Sequence, residues 1–234
     1  MCADARVRFP LLLVTLAAVL ATALCAGPGA AEQTAVLGGG SGITLGEQNA
    51  CTLTTIGYDR ARRLVGLTAG HCADLGMPVL AERTGEAGAV GTVALVDHGD
   101  DYAVIEFDPA KVVPVRQVSA TRIDGIGEPP RPGDLVCKSG RTTGFGCGVV
   151  WDAHPWWFQN EAGSQSGDSG APVTLGDRLV GMNVGHVRAE SRAVAISDRA
   201  LPVPVPDPAV ATQIGMILAE IDEMGGVGAG FRPV

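Results

Sequence analysis

The sequence predicts an all-β protein of two β units followed by one C-terminal helix. Three observations carry that expectation. Of 234 residues, 33 are Gly, while only 18% are charged and 4% aromatic. A Gly-rich, charge-poor chain suits many short strands joined by tight turns. From Ala35 onward, short apolar runs alternate with clusters of Gly, Asp, Asn and Pro, and no strand–helix–strand alternation appears, which disfavours a parallel sheet. The apolar share of 46% excludes a disordered chain, and the glycines show no three-residue period, which excludes collagen. No heptads of the coiled-coil type appear.

The first element in chain order is an export signal. Arg6 and Arg8 precede an apolar run from Phe9 to Ala26, and Gly29 and Ala31 stand at the −3 and −1 positions of a cleavage site after Ala31. Residues 1–31 are therefore expected to be removed, leaving a secreted protein without a stable membrane anchor. A retained anchor is the alternative, because roughly 18 apolar residues reach the lower limit for spanning. Cys25 follows Leu24, a poor lipoprotein site.

Beyond the signal, Cys51, Cys72, Cys137 and Cys147 remain. An even count in an exported chain reads as a disulfide framework with three possible connectivities. No CxxC or HxxxH spacing occurs, so no zinc site, and no other metal or cofactor, is expected. The net charge is −8, no cluster of five basic residues occurs, and Lys appears only at Lys111 and Lys138. That excludes the basic footprint of a nucleic-acid binder.

The first β unit is expected over residues 36–122, with strands at Cys51–Tyr58, Arg63–Ala69, Ala89–Val96 and Tyr102–Phe107. Ile123–Gly133 is rich in Gly and Pro and reads as a linker. The second unit is expected over residues 134–201, with strands at Leu135–Lys138, Cys147–Val150, Trp156–Gln159, Pro172–Thr174, Leu179–Val184 and Ala193–Ile196. Pro202–Pro208 stops the last of these. Val210, Ile214, Ile217, Leu218 and Ile221 then recur at helical spacing, which predicts a helix over Ala209–Met224, ended by Gly225 and Gly226.

Three segments carry chemistry: Thr68–Cys72 (TAGHC), Asp101–Ile105 (DYAVI) and Gly167–Gly170 (GDSG). A serine hydroxyl is a weak nucleophile at its own pKa. It needs an imidazole base, and the base needs a carboxylate to hold its tautomer. His71, Asp101 and Ser169 supply one of each on separate loops. Position 171 is Ala, so the G-x-S-x-G elbow of α/β-hydrolases is absent.

TAGHC (68–72), DYAVI (101–105), VCKSGRTTGFGCG (136–148) and SGDSGAPV (166–173) together resemble the trypsin/chymotrypsin superfamily of serine proteases, in its bacterial streptogrisin and α-lytic-protease branch. The resemblance covers most of residues 36–200, with VLGGG (36–40) matching a mature amino-terminal strand. It implies two antiparallel, chymotrypsin-like β-barrels with the site between them. Ser169 would be the nucleophile, His71 the general base and Asp101 the orienting carboxylate. The amides of Gly167 and Ser169 would form the oxyanion hole. Cys51–Cys72 and Cys137–Cys147 would be disulfides, and Arg141 would pair with Asp168 inside the nucleophile loop. The implied activity is a secreted, monomeric endopeptidase acting on protein or peptide substrates.

The pattern also departs from that group. Gly163 stands where relatives set primary specificity, Val184 where a Ser commonly supports the catalytic Asp, and His186 where a small residue opens the pocket. His186 would narrow the pocket, favour an acidic substrate residue, or simply fill space. Trp151–Phe158 is expected to pack aromatics into the second unit, or else to form a substrate wall. Residues 32–35 leave no room for a pro-region, so folding is expected to be unaided or to use help not encoded in this chain. These departures support a rival reading, a binding or regulatory protein on the same fold.

Overall fold

The computed structural model describes residues 34–83, 88–187 and 207–234. Leu64–Ala69 is buried at every position, and that pattern explains the layering. Leu64 on one face, and Ala69 at the strand's end, join a core with Ile43, Leu53, Ile56 and Ile105 inside the first unit. The other face, with Val65 and Leu67, packs with Tyr102, Val104, Leu179 and Met182 and with Ile214, Ile217 and Ile221. This strand is therefore sandwiched between its own unit, the second unit and the C-terminal helix. Each fully buried Ile on that helix contributes roughly 1.5–3 kcal/mol.

The first sheet runs through Arg232–Pro233, Thr55–Tyr58, Leu64–Ala69, Tyr102–Phe107, Ala89–Asp97, Pro78–Ala81, Gly42–Leu45 and Asn49–Thr52, in that order. It is a half-barrel. Leu53 and Thr54 carry the chain between its two ends, Leu53 N–H donating to Ser41 O and Thr54 N–H to Leu67 O, each at 2.8 Å.

The second sheet runs through Gly125–Ile126, Arg178–His186, Pro172–Leu175, Leu135–Gly140, Gly144–Ala153, Trp157–Ser164 and Asp207–Gln213. Asp207–Gln213 also pairs with Arg178–His186, so the sheet closes on itself as a six-stranded barrel. The two-unit, all-β, chymotrypsin-like architecture is thus present, with one unit closed and the other half open.

Several boundaries differ from the sequence reading. The helix is Ile214–Met224, not Ala209–Met224. Residues 209–213 instead belong to a strand that hydrogen-bonds to two neighbours at once. Ala209, Ala211 and Gln213 are its buried positions, a period of two that overrides the helical spacing of Val210 and Ile214. The closing strand of the second barrel therefore lies beyond residue 201. The expected linker contains Gly125–Ile126, paired in parallel with Arg178–Leu179. In the aromatic segment only Phe158 is fully buried, while Trp151 and Trp156 are 49% and 58% exposed. The signal segment and the strand expected at 193–196 lie outside the described residues. Among the described residues, no helix is long and apolar enough to cross a membrane.

Candidate active site

His71 sits in a single turn, Gly70–Cys72, directly after the buried strand Leu64–Ala69. The Cys51–Cys72 disulfide ties that turn to the neighbouring hairpin. Asp101 ends the loop that follows Ala89–Asp97 and holds a left-handed backbone, φ 56°. A Cβ at position 70 would overlap the Asp97 carbonyl and lie 2.8 Å from Tyr102 N. Only Gly lets the two loops approach this closely.

The three expected side chains converge. His71 Nδ1 lies 2.9 Å from Asp101 Oδ2 and 3.0 Å from Oδ1, and the His71 backbone N–H donates to Oδ1 at 2.7 Å. His71 Nε2 lies 2.8 Å from Ser169 Oγ. The bond to Asp101 raises the His71 pKa above its ordinary 6.5; partial burial opposes the rise, and the carboxylate charge adds to it.

The loop that carries Ser169 is shaped by glycine and by a buried charge. Gly170 has φ 84°, and a Cβ there would overlap Thr52 O and Thr68 Oγ1. Gly167 has φ 95°, and its carbonyl accepts from Thr52 Oγ1 at 2.9 Å. Asp168, fully buried, accepts from the backbone N–H groups of Thr142 (3.0 Å), Thr143 (3.1 Å) and Gln165 (3.1 Å), and from Thr143 Oγ1 (2.6 Å). Among the described residues, the amides of Gly167 and Ser169 donate to no protein acceptor.

The expected Arg141–Asp168 pair is not formed. Lys138 Nζ lies 2.8 Å from Asp168 Oδ2, both side chains fully buried, while Arg141 Nε lies 2.5 Å from Glu82 Oε1. Strand parity is the reason. Val136, Lys138 and Gly140 are buried and share the inward face of Leu135–Gly140, whereas Arg141 lies past its end. Burial pulls the Lys138 pKa down against the pull of Asp168. Burial pushes the Asp168 carboxyl up, but the hydrogen bonds from Lys138 and Thr143 outweigh it, and its pKa lies below the ordinary value. Thr143, Thr52 and Asn183 are also unforeseen parts of this loop; Asn183 Nδ2 donates to Asp168 O at 3.1 Å.

Gly163, Val184 and His186 lie at one end of the second barrel. Gly163 has φ 73°. Ser164, next to it, pairs with Asp207, and His186 pairs with Ala209, so their strands flank the same closing strand. His186 Nε2 stands 3.8 Å from Asp207 Oδ2. Val184 packs at the margin of the core between the two units, and the hydrogen bonds found at Asp101 all come from His71. Both expected disulfides, Cys51–Cys72 and Cys137–Cys147, are present.

No protein-family model matches the chain. An uncharacterised protein of Mycobacterium tuberculosis, Rv1815, is 28% identical over 135 residues, which cover 52% of this chain and about 60% of that protein's length. Solved structures are similar over a longer span. Nocardiopsis protease superposes with a TM-score of 0.65 at 19% identity, covering 80% of this chain and 96% of its own. Thermobifida fusca Protease A gives 0.63 at 20%, covering 80% and 96%. Cellulomonas bogoriensis chymotrypsin gives 0.62 at 22%, covering 86% and 99%. The chain therefore has the fold of the bacterial chymotrypsin-like serine proteases.

Proposed function

We propose that the chain is a secreted serine endopeptidase that works through an acyl-enzyme. The observation that carries this reading is His71, placed between Asp101 at 2.9 Å and Ser169 at 2.8 Å. These distances lie within the reach required for proton transfer.

In this reading Ser169 Oγ attacks the scissile carbonyl carbon, and its proton passes to His71 Nε2. Asp101 accepts the hydrogen bond from Nδ1–H and stabilises the imidazolium. The amides of Gly167 and Ser169 donate to the developing oxyanion, worth about 2.7–4 kcal/mol per donor where one has been removed from such a hole. His71 returns the proton to the leaving amine. Water, deprotonated by the same imidazole, then hydrolyses the ester. Asp168 and Lys138 take no part in proton transfer; they hold the loop that presents both amides.

The primary pocket is assigned to Gly163, Val184 and His186. Asp207 already offers His186 an acidic partner, so an acidic substrate residue would compete with it. A peptide-library cleavage profile tests this: if acidic residues are never accepted before the cut, His186 does not select for them.

The rival, a binding or regulatory protein, draws on Val184, which supplies no hydroxyl to Asp101. A fluorophosphonate probe separates the two. Labelling at Ser169, lost in Ser169→Ala and His71→Ala, supports the enzyme. Folded protein that takes no label refutes it.

A further inference from the structure

Tyr102 is fully buried, yet its hydroxyl has no hydrogen-bond partner. A buried phenol ordinarily finds one. Its cross-strand partner is Asp97, directly opposite in the antiparallel ladder, so the two side chains share a face of the sheet. The tyrosine ring packs in the same core as Ile217 and Ile221 of the C-terminal helix, and Glu220 lies between those two in sequence. Asp97, Asp100 and Glu220 each present a carboxylate oxygen, and the three oxygens lie within 4.8 Å of one another. Burial chiefly, and then the charges of Glu220, Asp97 and Asp100, push the Tyr102 hydroxyl pKa up.

Three acids at this spacing repel one another. None of the ion pairs among the described residues includes any of them. Asp222 and Glu223 add negative charge further along the helix, towards the end where the macrodipole is itself negative. A cation bound by oxygens at 2.3–2.6 Å spans such a triangle, because two of its ligands stand no more than about 5 Å apart.

We propose that Asp97, Asp100 and Glu220 form a structural site for a hard divalent cation, calcium by ligand chemistry, with the Tyr102 hydroxyl turned towards it. The remaining coordination would come from water. Calcium fits better than magnesium, which demands near-ideal octahedral geometry and dehydrates reluctantly. The ion would tie the helix Ile214–Met224 to the loop that ends in Asp101. It is separate from the proposed chemistry and does not depend on it. The sequence shows only part of the site: Asp97 and Asp100 crowd one acidic loop with Asp101, but Glu220 lies far along the chain from them.

The test uses the full chain carrying Ser169→Ala, so that autolysis plays no part. Protein stripped with EGTA is titrated with calcium chloride to 10 mM while thermal unfolding is followed. At a hundredfold excess over Kd, Tm should rise by about 5–10 °C. Terbium should bind with emission sensitised by Tyr102, and calcium should displace it. Asp100→Asn and Glu220→Gln should abolish the calcium response while raising the Tm of the stripped protein, since each relieves repulsion. A Tm unmoved by calcium, or a response that survives in both variants, overturns the site.

Discussion

Lys138 Nζ meets Asp168 Oδ2 at 2.8 Å in a place that solvent reaches from neither side. The carboxylate precedes Ser169, and its two oxygens gather donors from residues 138, 142, 143 and 165. An ionised Asp168 is thus the pin of the Ser169 loop, and Lys138 is its counter-charge.

Removing that counter-charge should be costly. Lys138→Met keeps most of the stem but leaves a buried carboxylate alone, which should destabilise by about 3–5 kcal/mol. Adding Asp168→Asn should recover much of the loss, because neither charge is then stranded. Arg141→Ala breaks the partly exposed pair with Glu82 and a long hydrogen bond to Thr142 Oγ1, and should cost less than about 1 kcal/mol. Denaturant midpoints measure all three. An Arg141→Ala penalty larger than that of Lys138→Met would reassign the counter-charge to Arg141.

In the proposed mechanism, the pH dependence of turnover follows from His71. Its pKa is raised chiefly by the hydrogen bond to Asp101. The imidazole must be neutral to take the proton from Ser169, so kcat/KM should fall as pH drops through a value above 6.5. For stability the sign is opposite. The raised pKa contributes stability that is fully present below the unfolded value and lost as pH rises through the folded one. Asp101→Asn should move the acidic limb of kcat/KM to lower pH and lower kcat by about 10⁴-fold. A limb that stays in place would mean that Asp101 does not set the His71 pKa.

The converging side chains were legible because each lies in a short contiguous motif whose geometry is local: His71 two residues past a buried strand, Ser169 between two positive-φ glycines. The disulfides were legible through the resemblance and not through spacing. Lys138 was encoded only in strand parity, as the inward neighbour of Val136 and Gly140. The start of the helix was hidden because residues 209–213 satisfy both periodicities, and long-range pairing with two strands decides between them. The acidic triangle was legible only in part: Asp97 and Asp100 share one loop, and tertiary packing brings Glu220 to them.

The two disulfides should differ in what they protect. Cys51–Cys72 closes 21 residues and Cys137–Cys147 closes 10, so loop entropy gives each about 3 kcal/mol. Cys72 adjoins His71, however, whereas Cys137–Cys147 links two strands already paired along their length. The Cys51→Ser/Cys72→Ser variant should therefore lose kcat beyond its loss of stability. The Cys137→Ser/Cys147→Ser variant should lose stability with kcat largely kept when assayed well below its Tm. Equal kcat in both variants would show that the tether does not position His71.

One substitution, Gly→Ala, should change sign with position. At Gly70 the new Cβ meets backbone on three sides, from Asp97, Asp101 and Tyr102, and backbone cannot swing aside as a side-chain tip can. The His71 turn must then lift off the Asp101 loop, and a displacement near 1 Å in a reacting group costs about 10²-fold in rate. Gly215 stands in the first turn of the helix Ile214–Met224, with nothing within 4 Å of its would-be Cβ. Alanine there removes unfolded-chain freedom without strain and should stabilise by about 0.4–1 kcal/mol. Measured side by side, Gly70→Ala should lose turnover and Gly215→Ala should gain Tm with turnover unchanged. A Gly70→Ala variant of full activity would show that the loops tolerate more separation than their contact distances imply.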